Sequence, residues 1–174
     1  MESRNFLYNW MKTLLLLRHA KSSWKNPELK DFDRPLNKRG LKAAPLIGRL
    51  MKERKLKPDL IISSPAVRAR MTAALVLEGG ELQSELRYDE RIYEADVAQL
   101  LKVVSQIDEA AETAVIVGHN PGLQELLGFL TDEEQEFPTA ALALISLKPD
   151  KWSGVSQQSG RLKWLVTPKS LAKD

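Results

Sequence analysis

The chain opens its ordered pattern with four consecutive leucines, Leu14 to Leu17, bounded by Thr13 and Arg18. Such an unbroken apolar run predicts a strand buried on both faces, the habit of a parallel sheet. Residues 37–55 follow, with Leu41, Ala44, Ile47, Leu50 and Met51 at helical spacing, Asn37 as N-cap and Pro45 set to kink the helix. A short apolar strand at residues 59–63 comes next, so the first half reads as a right-handed strand–helix–strand unit. Ser64-Pro65 has the form of a helix start, with Ser64 as cap and Pro65 in the first turn, and Gly79-Gly80 of a stop. Residues 86–88 read as a short strand, and Val97, Leu100, Leu101, Val104 and Ile107 fit one helical face. Residues 114–118 form another apolar strand. Asn120-Pro121 repeats the cap-plus-proline start before Leu123, Leu126, Leu127 and Leu130. Residues 141–147 and 162–166 are two closing strands, antiparallel because no helix-length segment separates them. The expected fold is three-layer αβα, with a mainly parallel central sheet and antiparallel C-terminal strands.

The 174 residues are enough for one domain, which is expected to occupy residues 11–174. Residues 1–10 are polar-aromatic and read as an N-terminal extension. No apolar run approaches the roughly 20 residues that span a bilayer, so no membrane association is expected and the cytoplasm is the expected location. A net charge of +3 favours anionic ligands only weakly and does not argue for nucleic acid. Cysteine is absent, which excludes disulfides, thiolate catalysis and cysteine metal sites.

Chemistry gathers where the strands end. Three exits carry Arg18-His19, Ser63-Ser64-Pro65-Ala66-Val67-Arg68 and His119-Asn120-Pro121. Ligands of open α/β sheets bind at the carboxyl ends of strands, and parallel neighbours would bring the three exits together. Two exits feed helix N-termini, which favour anions, and Arg18 and Arg68 add planar forks suited to phosphate. Arg70 lies about 200° around its helix and should miss the site. His19 and His119 are the only histidines. A neutral imidazole is a competent nucleophile toward phosphorus, and nearby arginines disfavour its protonated form. The second imidazole can stabilise charge on the transferring oxygens. Metal binding is the competing reading of two histidines. Neither lies in a metal-ligand spacing such as H-E-x-x-H, and the arginines repel a cation, so neither metal nor cofactor is expected.

The segments LLLLRHAKSSW, DFDRPLNKRG, SSPAVRARMTA and VGHNPGL, in this order, resemble the histidine phosphatase superfamily, in the branch that includes phosphoglycerate mutases. The resemblance runs from about Met11 to the final strands and is strongest to small SixA-type phosphohistidine phosphatases. It implies that His19 is the phosphorylated nucleophile and that Arg18, Arg68 and His119 form the phosphate pocket. Ala20 stands where glycine is common in the superfamily. Members that cleave esters protonate the leaving oxygen with a carboxylic acid. Glu90 is the positional match, with Glu94 and Asp96 as neighbours, against the reading of Glu90 as a solvated loop residue. Ser22 and Asn120 are further candidates for substrate binding, and Trp24 is expected to be partly buried. The connection from Glu90 to His119 has no room for the mutases' lid.

The function so implied is metal-independent dephosphorylation through a phosphohistidine, with phosphohistidine on a protein, of the histidine-containing phosphotransfer type, as substrate. The alternatives are a small phosphorylated metabolite as substrate of a phosphatase or mutase, and a phosphate-binding regulatory domain without turnover.

Overall fold

A computed structural model describes residues 11–172 of the chain. The expected N-terminal extension, residues 1–10, lies outside the described residues. Six strands form one sheet: β1 (Thr13–Arg18), β2 (Leu60–Ser63), β3 (Glu85–Tyr88), β4 (Thr113–Gly118), β5 (Leu142–Leu147) and β6 (Gly160–Val166). Their spatial order is β3-β2-β4-β1-β5-β6. The first four strands in sequence are mutually parallel, β5 runs antiparallel to β1, and β6 antiparallel to β5. The expected αβα architecture is thus what the chain adopts.

Alternation along β1 explains the layers. Leu14 and Leu16 point into a core with residues of α3 (Val97–Ser105) and α4 (Gly122–Thr131), among them Leu100, Val104, Leu123 and Leu127. Leu15 and Leu17 point the other way, into a core with Ala44, Ile47 and Met51 of α1 (Lys38–Glu53) and Ala69, Ala73 and Val76 of α2 (Val67–Gly80). All four leucines are fully buried, each a contribution of about 2 kcal/mol from burial alone. A short α5 (Pro168–Leu171) ends the described chain. Helices α1 and α2 touch through glycines: a Cβ on Gly48 would clash with the Val76 carbonyl, and one on Gly79 with Pro45 backbone. Pro45 lies inside α1 without ending it.

Asn37 caps α1 as expected, its side chain accepting from the Gly40 N–H. The caps expected of Ser64 and Asn120 are not made. Ala66 is still extended, so α2 begins only at Val67, and α4 begins at Gly122. The reason lies in the side chains. Ser64 Oγ accepts from the Ala66 N–H at 3.2 Å, outside the helix, and otherwise faces His119. The Asn120 amide is turned to the Phe137 carbonyl.

Candidate active site

The carboxyl ends of β1, β2 and β4 lie side by side, since Arg18 is in register with Gly118 and Ser63 with Val117. The three exits therefore open into one cleft of about 700 Å³. Arg18, His19, Arg68 and His119 all line it, drawn together from positions 101 residues apart at the extremes.

His19 leaves β1 directly and is 6% exposed. Its backbone N–H still donates to the Gly118 carbonyl at 3.0 Å, so the residue is tied to β4. Its Nδ1 lies 2.7 Å from the Ala20 carbonyl oxygen. A carbonyl can only accept, so Nδ1 carries the proton and the lone pair of the neutral ring resides on Nε2. Ala20 is fixed in turn: its N–H donates to Thr72 Oγ1 at 3.0 Å, and that hydroxyl donates to the Arg68 carbonyl at 2.6 Å. Arg68 Nε points at His19 Nε2 from 3.3 Å. The His19 and His119 ring centroids are 5.1 Å apart.

Burial, and then the charges of Arg68, Arg18 and Arg34, pull His19 down to about 4 against the opposing pull of the Ala20 carbonyl. Burial, with the charges of His19, Arg68 and Arg18, pulls His119 down to about 3, opposed by Asp31. Both rings are neutral at pH 7. His119 Nε2 lies 2.7 Å from Ser64 Oγ, and its ring stands nearly perpendicular to that of Tyr93, with centroids 5.5 Å apart.

Among the described residues, three buried side-chain polar atoms have no partner within the protein: Arg18 Nε, His119 Nδ1 and Asn120 Oδ1. All three belong to residues of this cleft. Buried polar groups are nearly always paired, so this clustering is the mark of a site that completes its hydrogen bonds with a polar ligand.

Asp31 is the site residue that the sequence reading missed. It starts a short 3₁₀ turn in the loop whose ends are tied by the Ser22–Leu36 bridge. Its Oδ1 accepts from Arg34 Nε and Nη2 at 3.1 and 2.9 Å. Its Oδ2 accepts from Arg68 Nη2 at 3.0 Å and the Tyr93 hydroxyl at 2.9 Å. Burial would raise this carboxyl, but bonds from Tyr93, Arg34 and Arg68 outweigh it and hold Asp31 at about 2. The Asp-x-x-Arg spacing of Asp31 and Arg34 was the one available signal, and nothing local tied it to Arg68, 37 residues on.

Other expected residues fall differently. Ser22 is buried and its hydroxyl accepts from Arg34 Nη1 at 2.8 Å, so it supports that arginine from inside the cleft wall. Arg70 lies over the Tyr88 ring and not in the cleft, as its helical angle required. Trp24 is 72% exposed, a correction to its expected burial. It stands on the cleft wall with the Arg34 guanidinium 3.5 Å from its ring centroid, because its polar loop runs outside the sheet layers. Glu90 also stands apart from the residues brought together here. It is exposed and absent from the cleft lining, because the 3₁₀ turn Glu90–Ile92 buries Ile92 and turns Glu90 outward. Glu94 and Asp96 do line the cleft, although Asp96 is engaged in capping α3.

Residues 14–115 match the histidine phosphatase superfamily (branch 1). The chain belongs to that superfamily. A candidate phosphohistidine phosphatase SixA from Agrobacterium tumefaciens is 30% identical, with a TM-score of 0.78 over 90% of this chain and 98% of that one. A second SixA candidate, from Nakamurella multipartitia, is 25% identical, with a TM-score of 0.81 over 91% and 96%. An uncharacterized protein of Mycobacterium leprae is 29% identical over 88% of this chain and its own full length. Superfamily membership and these SixA-type likenesses support phosphatase activity. The sheet order and antiparallel closing strands are those of the phosphoglycerate mutase-like fold.

Proposed function

We propose that this protein is a metal-independent phosphatase acting through phospho-His19, and that it removes phosphate from phosphohistidine carried by a protein. The observation that carries the reading is the state of His19: a neutral ring whose Nδ1–H is held by the Ala20 carbonyl, leaving Nε2 as nucleophile among arginines. In the first step Nε2 attacks phosphorus, the Nε2–P bond forms, and the bond to the leaving group breaks. Arg68 Nε turns from Nε2 to a phosphoryl oxygen as the substrate arrives. Arg18 and His119, each with an unpartnered nitrogen, hold the remaining oxygens. In the second step water attacks phosphorus, the Nε2–P bond breaks, and inorganic phosphate leaves. Asn120, whose Oδ1 is unpartnered, orients the ligand through a protonated oxygen or bridging water.

The leaving group follows from the carboxylates. An alkoxide needs a proton as it departs, whereas a protonated imidazole leaves without an acid. Glu90 stands outside the cleft, which fits an imidazole leaving group. An exposed Trp24 on the cleft wall suits a protein surface beside the phosphorylated residue. The second reading, a small phosphoester as substrate, is favoured by Glu94, which does line the cleft; it would serve as acid there.

The test is acid-quenched trapping with labelled substrate in the presence of chelator, with phosphohistidine proteins and small phosphoesters assayed side by side. An acid-labile phosphoenzyme formed by the wild type and not by His19→Ala supports the mechanism. Its absence with every substrate leaves a phosphate-binding domain without turnover. Turnover of the phosphohistidine protein that survives Glu90→Gln and Glu94→Gln supports the imidazole leaving group. Loss of all activity in Glu94→Gln points to the ester.

A further inference from the structure

We infer that Asp31 is an internal anion that competes with phosphate for the arginines and so sets how tightly the site retains its product. The inference rests on the proposed reading of the cleft as a phosphoryl site. Three guanidiniums converge on the cleft, and two of them already have a carboxylate: Arg34 and Arg68 both donate to Asp31 side-chain oxygens. Among the described residues Arg18 has no such partner; it donates from Nη1 to the Phe137 carbonyl, and its Nε is free. The Asp31 carboxylate therefore already draws on the Nη2 side of the guanidinium whose Nε would meet an arriving phosphoryl oxygen. Both anions draw on the same fork, and their mutual repulsion lowers the affinity of the second.

The geometry lets Asp31 yield. Its side chain is 47% exposed, whereas that of Arg68 is 6% exposed. On displacement the carboxylate can turn to water while the arginine stays, so the exchange strands no buried charge. The Tyr93 hydroxyl, 2.9 Å from Oδ2, and Arg34 keep Asp31 close enough to return. In a hydrolase whose last product is inorganic phosphate, a returning carboxylate speeds release. A purely supporting role for Asp31 predicts the reverse, because loss of a support misplaces Arg68 and weakens every anion.

The two roles differ in sign, which makes them separable. The full chain is titrated with inorganic phosphate by calorimetry, as wild type, Asp31→Asn and Asp31→Glu, and phosphate inhibition of p-nitrophenyl phosphate turnover is measured in parallel. Asparagine keeps the shape and the main-chain oxygen that accepts from Arg68 Nη1 but removes the charge. Asp31→Asn should bind phosphate roughly tenfold more tightly, by loss of one nearby like charge, with the inhibition constant falling in step. Asp31→Glu, which restores the charge, should stay near the wild-type value. Phosphate binding that weakens or does not change in Asp31→Asn overturns the inference, as does Asp31→Glu binding as tightly as Asp31→Asn. Should Asp31→Asn not fold, Asp31→Glu and Tyr93→Phe carry the test: removing the tyrosine donor loosens Asp31 and should tighten phosphate, and weaker binding overturns the inference. Wild type that binds no phosphate overturns the phosphoryl-site reading as well; wild type that binds with Asp31→Asn no tighter overturns this inference alone.

Discussion

Replacing His19 by glutamine should make the fold less sensitive to mild acid. In the folded protein the ring sits at about 4, mainly through burial and then through the charges of Arg68, Arg18 and Arg34. In the unfolded chain it returns to about 6.5. Between these values the unfolded chain binds a proton that the folded protein refuses, so stability falls as pH falls from 7 toward 4. Integrating between pH 7 and pH 5 gives a loss of about 2 kcal/mol from this one residue. The figure is insensitive to the folded value, because at pH 5 the folded ring is already almost wholly neutral. His119 acts in the same direction, but because burial is the largest cause of its low value it stays neutral over this interval in both proteins and largely cancels in the difference. Urea denaturation followed by tryptophan fluorescence at pH 7 and pH 5 measures the effect. The wild type should lose about 2 kcal/mol more over that interval than His19→Gln. Equal losses in the two proteins would mean that the folded ring titrates like a free histidine. The premise that the site itself holds the nucleophile neutral would then fail with it.

Three other substitutions probe different links. Thr72→Val keeps the shape of a fully buried side chain but leaves the Ala20 N–H without an acceptor. It should cost about 1–3 kcal/mol in urea melts and slow phosphoenzyme formation by loosening the carbonyl that fixes the His19 tautomer. Gly48→Ala pushes a methyl group onto the Val76 carbonyl across the α1–α2 contact. A loss of about 1–3 kcal/mol is expected, seen as a lower melting temperature, with the fold retained. Trp24→Ala removes an exposed side chain and should change stability by less than about 0.5 kcal/mol. It should raise KM for a phosphohistidine protein several-fold while leaving that for p-nitrophenyl phosphate within twofold, and equal effects on both would remove Trp24 from protein recognition.

The central scaffold was legible because its signals are local. Four leucines, an apolar run before Ser64 and another before His119 each mark a buried strand, and parallel pairing then compels their ends to meet. Arg68 could be placed because it lies in the first turn of the helix that follows the second exit. What stayed hidden depends on how loops fold back. Asp31 reaches Arg68 and Tyr93 across 37 and 62 positions, and no periodicity encodes that approach. Trp24 reads as a core residue by type and is exposed because its loop lies outside the layers. Glu90 matched by position, yet in the turn that buries Ile92 it is exposed and is not among the residues lining the cleft. Ser64 has the composition of a helix cap and instead faces an imidazole. In each case the residue type was informative and its direction was not.

The nucleophile's strand lies inside the sheet, with β4 on one side and β5 on the other. At its end the Arg18 amide is bound to Ala141 and the His19 amide to Gly118, so both flanks would have to separate before these protons could exchange with solvent. Deuterium uptake at the two amides should therefore track whole-molecule opening. Evolution or engineering that seeks a new substrate then works through the exposed parts of the cleft wall, among them Trp24, Glu94 and Glu125, because the base from which the imidazole projects cannot be moved without dismantling the fold.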